Sequence, residues 1–382
     1  MTADAAVQGI REVDTDGTIG LISAETDPPY DRPPLTKGLW KDKSYDSIWR
    51  SAAKTNAQLY LGRSVESLNL ERKQVSDNQG TTFTFEKLLL ATGGTPRRLP
   101  FGGDKIIYYR TAADYRRLRA LTEKSQRFVV IGGGFIGSEI AASLAMNGKQ
   151  VTIVFPGPSI GNRIYPRELS QFLNGYYQEK GVTVASGETV AALEESGPVI
   201  AIKTKSGRKF AADGVIAGLG IEPNIDLASS AGLKVENGII VDAFLQTSAP
   251  DVFAAGDVAA FHNPALDQRL RVEHEDNANT MGKIAGHNMA GKRERYDHLP
   301  FFYSDLFDLG YEAVGELDSR LETFADWKTV NREGVIYYLR DGQVRGVLLW
   351  NTWGQVDAAR ELIAGHRKFG PGELKGKLPK AT

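Results

Sequence analysis

Residues 128–149 read FVVIGGGFIGSEIAASLAMNGK. A short apolar run, Phe128–Ile131, ends in three glycines and gives way to a helical pattern. A second apolar run, VTIVF at 151–155, begins about twenty residues on. This is the strand–turn–helix–strand order of a dinucleotide fingerprint, G-x-G-x-x-G. Gly132 suits the tight turn. Gly134 has no side chain to keep a pyrophosphate from the backbone, and Gly137 lets the helix lie close to the strand. The helix start offers unpaired N–H groups and a positive dipole end to phosphates. The alternative, a glycine-rich turn without a ligand, is disfavoured by the context on both sides. The second strand should end in an acid that holds an adenosine ribose 2′-hydroxyl. Here Phe155 is followed by Pro156, Gly157 and Pro158. Arg163 lies nearby; it suits a 2′-phosphate, but a solvated surface arginine is the preferred reading. NADH against NADPH is therefore left open by the sequence.

Outward from this unit, DAAVQGIREV (4–13) has a helical apolar face, and TIGLI (18–22) reads as a buried strand. The stretch DPPYDRPPLTKGLW (27–40) contains four prolines, which forbid a regular helix or ladder. KLLLA (87–91) is a strand ending at the turn TGGTP. A polar helix covers 166–180, and a small meander from 197 ends in the strand GVIAGLG. IIVD (239–242) and DVFAA (251–255) are further strands, the latter stopping at GDVA, and a helix follows over 275–289. From residue 300 the pattern changes to alternating strands, YEAVGEL, GVIYYLR and VRGVLLW, with a final helix over 356–363 and a polar basic tail. Strands alternating with helices argue a parallel sheet covered on both faces, and the later strands a separate α+β domain.

Composition narrows the chemistry. The 382 residues fit two or three domains, and net charge −1 gives no signature of a nucleic-acid partner. There is no cysteine, which removes disulfides, thiolate metal sites, a catalytic thiol and a redox-active cysteine pair. Five histidines without close spacing argue against zinc. No apolar run reaches the ~20 residues that span a membrane. The N-terminal segment lacks the pattern of a signal peptide. A cytoplasmic protein is expected.

Six segments occur in a fixed order: PPYDRPPLTKGLW (28–40), ATGGTPRRLP (91–100), VVIGGGFIGSE (129–139), GLGIEPN (218–224), DVFAAGDVA (251–259) and RVEHEDNA (271–278). Together they resemble the motif series of the FAD-dependent ferredoxin and rubredoxin reductases and, most of all, of the apoptosis-inducing factors. FYSDLFDLGYEAVGELDS (302–319) and GVIYYLRDGQVRGVLLWN (334–351) extend the resemblance into the last domain. It implies an α/β protein with two three-layer Rossmann-like domains and a C-terminal α+β domain. FAD would be held by 1–110 and 238–298 and NAD(P)H by 111–237, with 299–382 forming the third domain.

The resemblance also implies roles. Asp257 would hold the ribityl chain of FAD, or be a helix N-cap, or both. Arg32 and Arg97 would neutralise its pyrophosphate, and Val65 would meet the adenine through its backbone. Pro33, Ala91, Thr92 and Gly93 join this set. Lys37 and Glu139 resemble the pair beside flavin N5, where the lysine charge would favour the reduced flavin and the glutamate would keep it charged and placed. Phe135 would cover the isoalloxazine where nicotinamide enters. Gly132, Gly134, Ile136, Gly137 and Gly220 would complete the NAD(P)H site. Glu273 and His274 would approach the nicotinamide from the other side. Two departures are visible: Glu275 stands in place of a second histidine, and Tyr303 in place of a tryptophan.

The implied activity is an NAD(P)H:acceptor oxidoreductase without a redox disulfide, passing electrons through FAD to a ferredoxin- or rubredoxin-like carrier or a quinone. A homodimer is also open, and no nucleic-acid partner is expected. Two alternatives are a slow-turnover NADH-binding redox sensor and an inactive apo-protein. On the same resemblance, Met1-Thr2-Ala3 aligns with the end of a first FAD-binding glycine loop. The strand and glycines before it are absent, and Ala24 stands where a ribose-holding acid is expected, with Glu25 next to it. A start assigned too far downstream, preferred over a true truncation, and weak FAD binding by residues 1–382 alone are the corresponding expectations.

Overall fold

A computed structural model describes residues 1–51, 55–196, 199–370 and 372–379. The chain divides into two compact units. The first comprises Met1–Arg32, Tyr45–Thr95 and Glu222–Phe302, and the second Pro33–Ser44, Pro96–Ile221 and Tyr303–Thr382. The α-helices among the described residues are α1 (Thr2–Arg11), α2 (Ala112–Lys124), α3 (Phe135–Met146), α4 (Arg167–Glu179), α5 (Asp226–Ser230), α6 (Glu275–Met289) and α7 (Val356–Ala364).

The second unit is built on a five-stranded parallel sheet. Its order is Thr183–Ser186, Gln150–Phe155, Arg127–Ile131, Gly214–Ala217, Ile106–Tyr108. Val129, Val130, Ile153, Val215 and Ile216 are all fully buried. Their runs do not alternate because a parallel sheet of this kind is covered on both faces. α2 starts at a capping box: Asp114 N–H donates to Thr111 Oγ1, and Thr111 N–H to Asp114 Oδ2. An antiparallel meander, Val190–Ser196, Val199–Thr204 and Lys209–Ala212, precedes the strand Gly214–Ala217. After residue 300 comes a second five-stranded sheet, ordered Phe301–Leu306, Leu309–Gly315, Gln343–Trp350, Glu333–Arg340, Glu322–Thr329.

The first unit carries two parallel pairs: Gly20–Ser23 with Gln58–Leu61, and Leu88–Leu90 with Val252–Ala254. A three-stranded meander covers Val65–Asn69, Gln74–Asp77 and Thr82–Thr84, and a four-stranded sheet includes Gly238–Ile240 and Ala259–Asn263. Helices α1 and α6 cross at glycines. A Cβ on Gly9 would lie 2.2 Å from Lys283 O, one on Gly282 2.4 Å from Thr2 O, and one on Gly286 2.2 Å from Ala6 O. Backbone therefore meets backbone, with no flexible side chain to yield. Gly286→Ala should lower stability by about 1–3 kcal/mol by forcing the helices apart. Gly175→Ala in α4, where a Cβ meets nothing within 4 Å, should instead raise it by about 0.5–1 kcal/mol through helix propensity. Denaturant unfolding of the two variants checks the opposite signs.

Most expected elements appear within two residues of their sequence limits, and several differences are informative. The proline-rich segment is not wholly irregular: it holds two 3-10 turns, Pro33–Leu35 and Gly38–Trp40, and the first uses prolines where their fixed φ fits. The expected domain limits shift. Ile106–Tyr108 hydrogen-bonds into the sheet carrying the glycine loop, so that sheet begins before residue 110, and residues 222–237 group with the first unit. Residues 303–382 group with the glycine-loop sheet in one compact unit. No strand from 238–298 enters the 106–217 parallel sheet. The polar tail is partly packed: Leu374 and Leu378 are buried, and Leu378 N–H donates to the Tyr337 hydroxyl at 3.1 Å. Pro371 and residues 380–382 of that tail, and the first two residues of the expected meander, lie outside the described residues.

Candidate active site

The glycine loop shows three glycines with three different needs. Gly132 has φ +115°, and a Cβ there would lie 2.3 Å from Gly218 O. A Cβ on Gly137 would lie 1.9 Å from Gly132 O. Gly134 is the opposite case: nothing lies within 4 Å of its Cβ position. It is also the N-cap of α3 and supplies no side-chain cap. The N-terminal end of α3, where a helix offers its first-turn N–H groups, is thus left open beside Gly134. This donor set fits a dinucleotide pyrophosphate. Phe135 and Ile136 open the helix, half-buried and exposed respectively. Gly220 has φ +82°, and its carbonyl accepts from Arg97 N–H at 3.0 Å. At the end of the strand Gln150–Phe155 no carboxylate takes the ribose-holding position. Glu188, whose N–H donates to Phe155 O, turns its own carboxylate to Ser206 Oγ at 2.6 Å and Arg208 Nη1 at 3.3 Å.

In the same unit Lys37 Nζ lies 2.8 Å from Glu139 Oε2, with the two side chains 12% and 3% exposed. Lys37 sits at the mouth of the turn Gly38–Trp40, and Glu139 in the second turn of α3. Thr36 Oγ1 donates to the same carboxylate oxygen at 2.5 Å. Ser304 Oγ, from the strand Phe301–Leu306, donates to Oε1 at 2.6 Å. A buried carboxylate is tolerable only when its lone pairs are used in this way. The Tyr303 ring lies 5.1 Å from Lys37 Nζ, within cation–π range. Sequence reasoning brought out Lys37 and Glu139 but not Thr36 or Ser304. The neighbour of a singled-out lysine was available as a signal; Ser304 had none.

The first unit gathers another set. Arg32 is bonded to Glu25 and, through Nη1 at 2.9 Å, to the Tyr30 hydroxyl. Its own N–H donates to Met1 Sδ at 3.3 Å, which sets it beside the start of α1. A Cβ on Gly256 would lie 2.3 Å from Thr2 Oγ1. The next residue, Asp257, acts electrostatically on Arg32. A guanidinium at an α1 start without a side-chain cap fits a diphosphate. Asp257 is not a helix N-cap: it lies in the 3-10 turn Gly256–Val258, which leads into a strand. Its carbonyl accepts from Arg271 Nη1 at 3.0 Å. The N-cap of α6 is His274, whose ring stacks on Phe302 at 4.2 Å. Glu273 pairs with Arg271 at 2.7 Å. Pro33 opens a 3-10 turn in the second unit. Thr92 and Gly93, after Ala91, are tied to Asn224: Thr92 Oγ1 donates to Asn224 O at 2.8 Å, and Asn224 N–H to Gly93 O at 3.0 Å. Val65 is a half-buried strand residue opposite Asp77.

The profile of pyridine nucleotide-disulphide oxidoreductases matches residues 3–282. The chain belongs to this family. It is an FAD- and NAD(P)H-dependent oxidoreductase of the branch that has no redox-active cysteine pair, since it has no cysteine at all. The C-terminal domain of mitochondrion-associated apoptosis-inducing factor matches residues 285–333 and 328–365. Apoptosis-inducing factor 1 of Dictyostelium discoideum is 34% identical over 95% of this chain and 76% of its own length. A ferredoxin reductase subunit of a 5,5′-dehydrodivanillate O-demethylase from a Sphingobium species is 36% identical over 90% and 85%. Among solved structures, a covalent putidaredoxin reductase–putidaredoxin complex superposes with TM-score 0.92 at 30% identity. The alignment covers 99% of this chain and 94% of that one. These likenesses support the α/β class and the C-terminal domain read from the motifs. No helix among the described residues is long and apolar enough to cross a membrane.

Proposed function

We propose that this oxidoreductase oxidises NAD(P)H and passes the electrons to a small ferredoxin-like carrier protein. The observation that carries the reading is the buried Lys37–Glu139 pair, whose glutamate lies on the helix that the glycine loop opens. Bound FAD supplies the change from a two-electron donor to a one-electron acceptor. The chain's own groups do the rest. Gly132, Gly134, Gly137 and the start of α3 bind the pyrophosphate of NAD(P)H. Lys37 brings its ammonium to the site, where it favours a negatively charged reduced cofactor, and Glu139 holds that ammonium in place. Arg32 and Asp257 contribute to FAD. The carrier is inferred from relatives whose names specify ferredoxin or putidaredoxin reduction. With no cysteine in the chain, electrons cannot be parked on an internal disulfide.

Nicotinamide choice follows from the strand end at Phe155. No carboxylate repels a 2′-phosphate there, and Glu188 is engaged elsewhere. NADPH should therefore react with a kcat/KM within about tenfold of NADH, because neither form leaves a buried polar group unpaired. Anaerobic mixing with each nucleotide, followed by turnover with a [2Fe–2S] ferredoxin, a quinone and ferricyanide, tests the whole reading. Rapid bleaching of the flavin and ferredoxin-dependent turnover are expected. No bleaching by either nucleotide would overturn it. The apoptosis-inducing-factor match over 285–365 favours a second reading, a slow redox sensor. Rapid bleaching with negligible turnover on every acceptor would select that one.

A further inference from the structure

We propose that Asn162 stands in for the missing acid and holds the adenosine ribose of NAD(P)H through its side-chain amide. This rests on the reading of the glycine loop as the pyrophosphate site. Contact at the ribose 2′ position makes Asn162 the residue that sets the balance between NADH and NADPH.

In a dinucleotide fold the adenosine ribose lies at the carboxyl end of the second strand, beside the glycine loop. That strand ends here at Phe155. The Phe155 ring is buried against Gly133, where a Cβ would lie 2.7 Å from it, so it offers a ribose nothing polar. The chain then turns back on the loop. Gly161 N–H donates to Gly133 O at 2.8 Å, and Asn162 N–H to Ser159 O at 3.3 Å. This return brings the Asn162 amide over the strand end. A Cβ on Gly157, two residues past Phe155, would lie 2.4 Å from Asn162 Oδ1. Gly157 has no positive φ that would call for a glycine. It is small because the amide occupies the space of its side chain.

The loop is fixed while the amide is unspent. Asn174 of α4 accepts from Ile160 N–H and donates to Pro158 O, both at 3.0 Å. Ser319 Oγ donates to Asn162 O at 2.7 Å, Ser319 N–H to Arg163 O at 3.0 Å, and Tyr338 O–H to Ile164 O at 2.8 Å. All these residues belong to the second unit. Among the described residues, neither Oδ1 nor Nδ2 of the half-buried Asn162 has a hydrogen-bond partner. Its backbone also lies outside the left-handed region that asparagine often fills in turns, so turn geometry does not account for it. A rigid loop that presents one unspent amide suits a ligand contact. The chemistry fits both nucleotides. A carboxylate accepts from a 2′-hydroxyl and repels a 2′-phosphate, whereas an uncharged amide accepts through Oδ1 and donates through Nδ2. The next residue, Arg163, is exposed and is the competing candidate for a 2′-phosphate.

The test is calorimetric titration of the protein, in excess FAD, with NAD⁺, NADP⁺ and 2′-deoxy-NAD⁺, which involves no turnover. Asn162→Ala should weaken NAD⁺ and NADP⁺ about three- to tenfold, the size of one lost hydrogen bond. It should leave 2′-deoxy-NAD⁺ unchanged. Equal weakening of all three would mean a disturbed loop rather than a lost contact and would overturn the proposal, as would undiminished binding of NAD⁺. Asn162→Asp should hold NAD⁺ within about threefold and weaken NADP⁺ about tenfold or more, because like charges then meet. Gly157→Ala should reproduce Asn162→Ala, since its methyl displaces the amide, and the two changes together should lose no more than either alone. If Arg163→Ala alters the ratio of NAD⁺ to NADP⁺ affinity and Asn162→Asp does not, the arginine sets the choice and the proposal falls. Gly134→Val, titrated alongside, separates the two possible failures. Full-strength binding by that variant removes the pyrophosphate site itself. Weak binding by it, with none lost in Asn162→Ala, overturns the ribose contact alone.

Discussion

Lys37→Ala should slow flavin reduction by NADH about a hundredfold while leaving FAD content near that of wild type. A group that stabilises developing charge in a water-poor site is worth roughly two to three orders of magnitude in rate. Lys37 qualifies on burial, since its side chain is 12% exposed and its partner's 3%. Stability must be separated from rate. Removing one member of a buried pair strands the other, at about 3–5 kcal/mol. Here Thr36 and Ser304 still donate to Glu139, which places the loss at the low end of that range. Lys37→Met combined with Glu139→Gln removes both charges and should regain most of that stability without regaining the rate. Stopped-flow bleaching, flavin-to-protein ratio and denaturant unfolding on the two variants decide this. Parallel loss of rate and of FAD content would mean that Lys37 is only structural.

What the sequence made legible follows from how local each signal is. The glycine loop could be read because turn, strand and helix lie within thirty residues and each glycine has its own steric reason. The Lys37–Glu139 pair spans 102 positions, and no periodicity joins them; only the ordered motif series put them together. Ser304 is 165 positions from Glu139, and a serine inside FYSDLF has no spacing that marks it. The limit near residue 110 was misplaced because Ile106–Tyr108 is three residues long. So short an apolar run has no period, and its partner, Gly214–Ala217, is more than a hundred positions away. Asp257 looked like a helix N-cap because GDVA resembles a helix start. The turn at Gly256, with φ +77°, sends the chain into a strand instead. The strands Phe301–Leu306 and Glu322–Thr329 were not expected, since FFYSDL and ETFADWKT mix aromatic and charged residues without clean alternation.

Two glycines five ångströms or so apart along the loop, at about 1.5 Å per helical residue, should fail in opposite ways when replaced. Gly134→Val should fold as well as wild type, because nothing lies within 4 Å of the new Cβ, and a valine φ is unstrained at the observed −88°. It should keep its FAD, since the loop belongs to a different unit from Arg32 and Asp257. It should bind NAD(P)H some tenfold to a hundredfold more weakly, because its side chain fills the open space beside the start of α3. That range corresponds to about one lost charge-assisted hydrogen bond. Gly137→Val should instead fail in folding. Its Cβ would lie 1.9 Å from Gly132 O, a main-chain atom of the turn that follows the sheet's central strand. That turn cannot move without breaking the bonds that hold Gly132 N–H to Val154 O and Gly218 N–H to Ile131 O. Nucleotide titration by fluorescence, alongside thermal unfolding, separates the two. If Gly134→Val bound NADH as tightly as wild type, the loop would not be the pyrophosphate site, and the nicotinamide nucleotide would have to enter elsewhere on the chain.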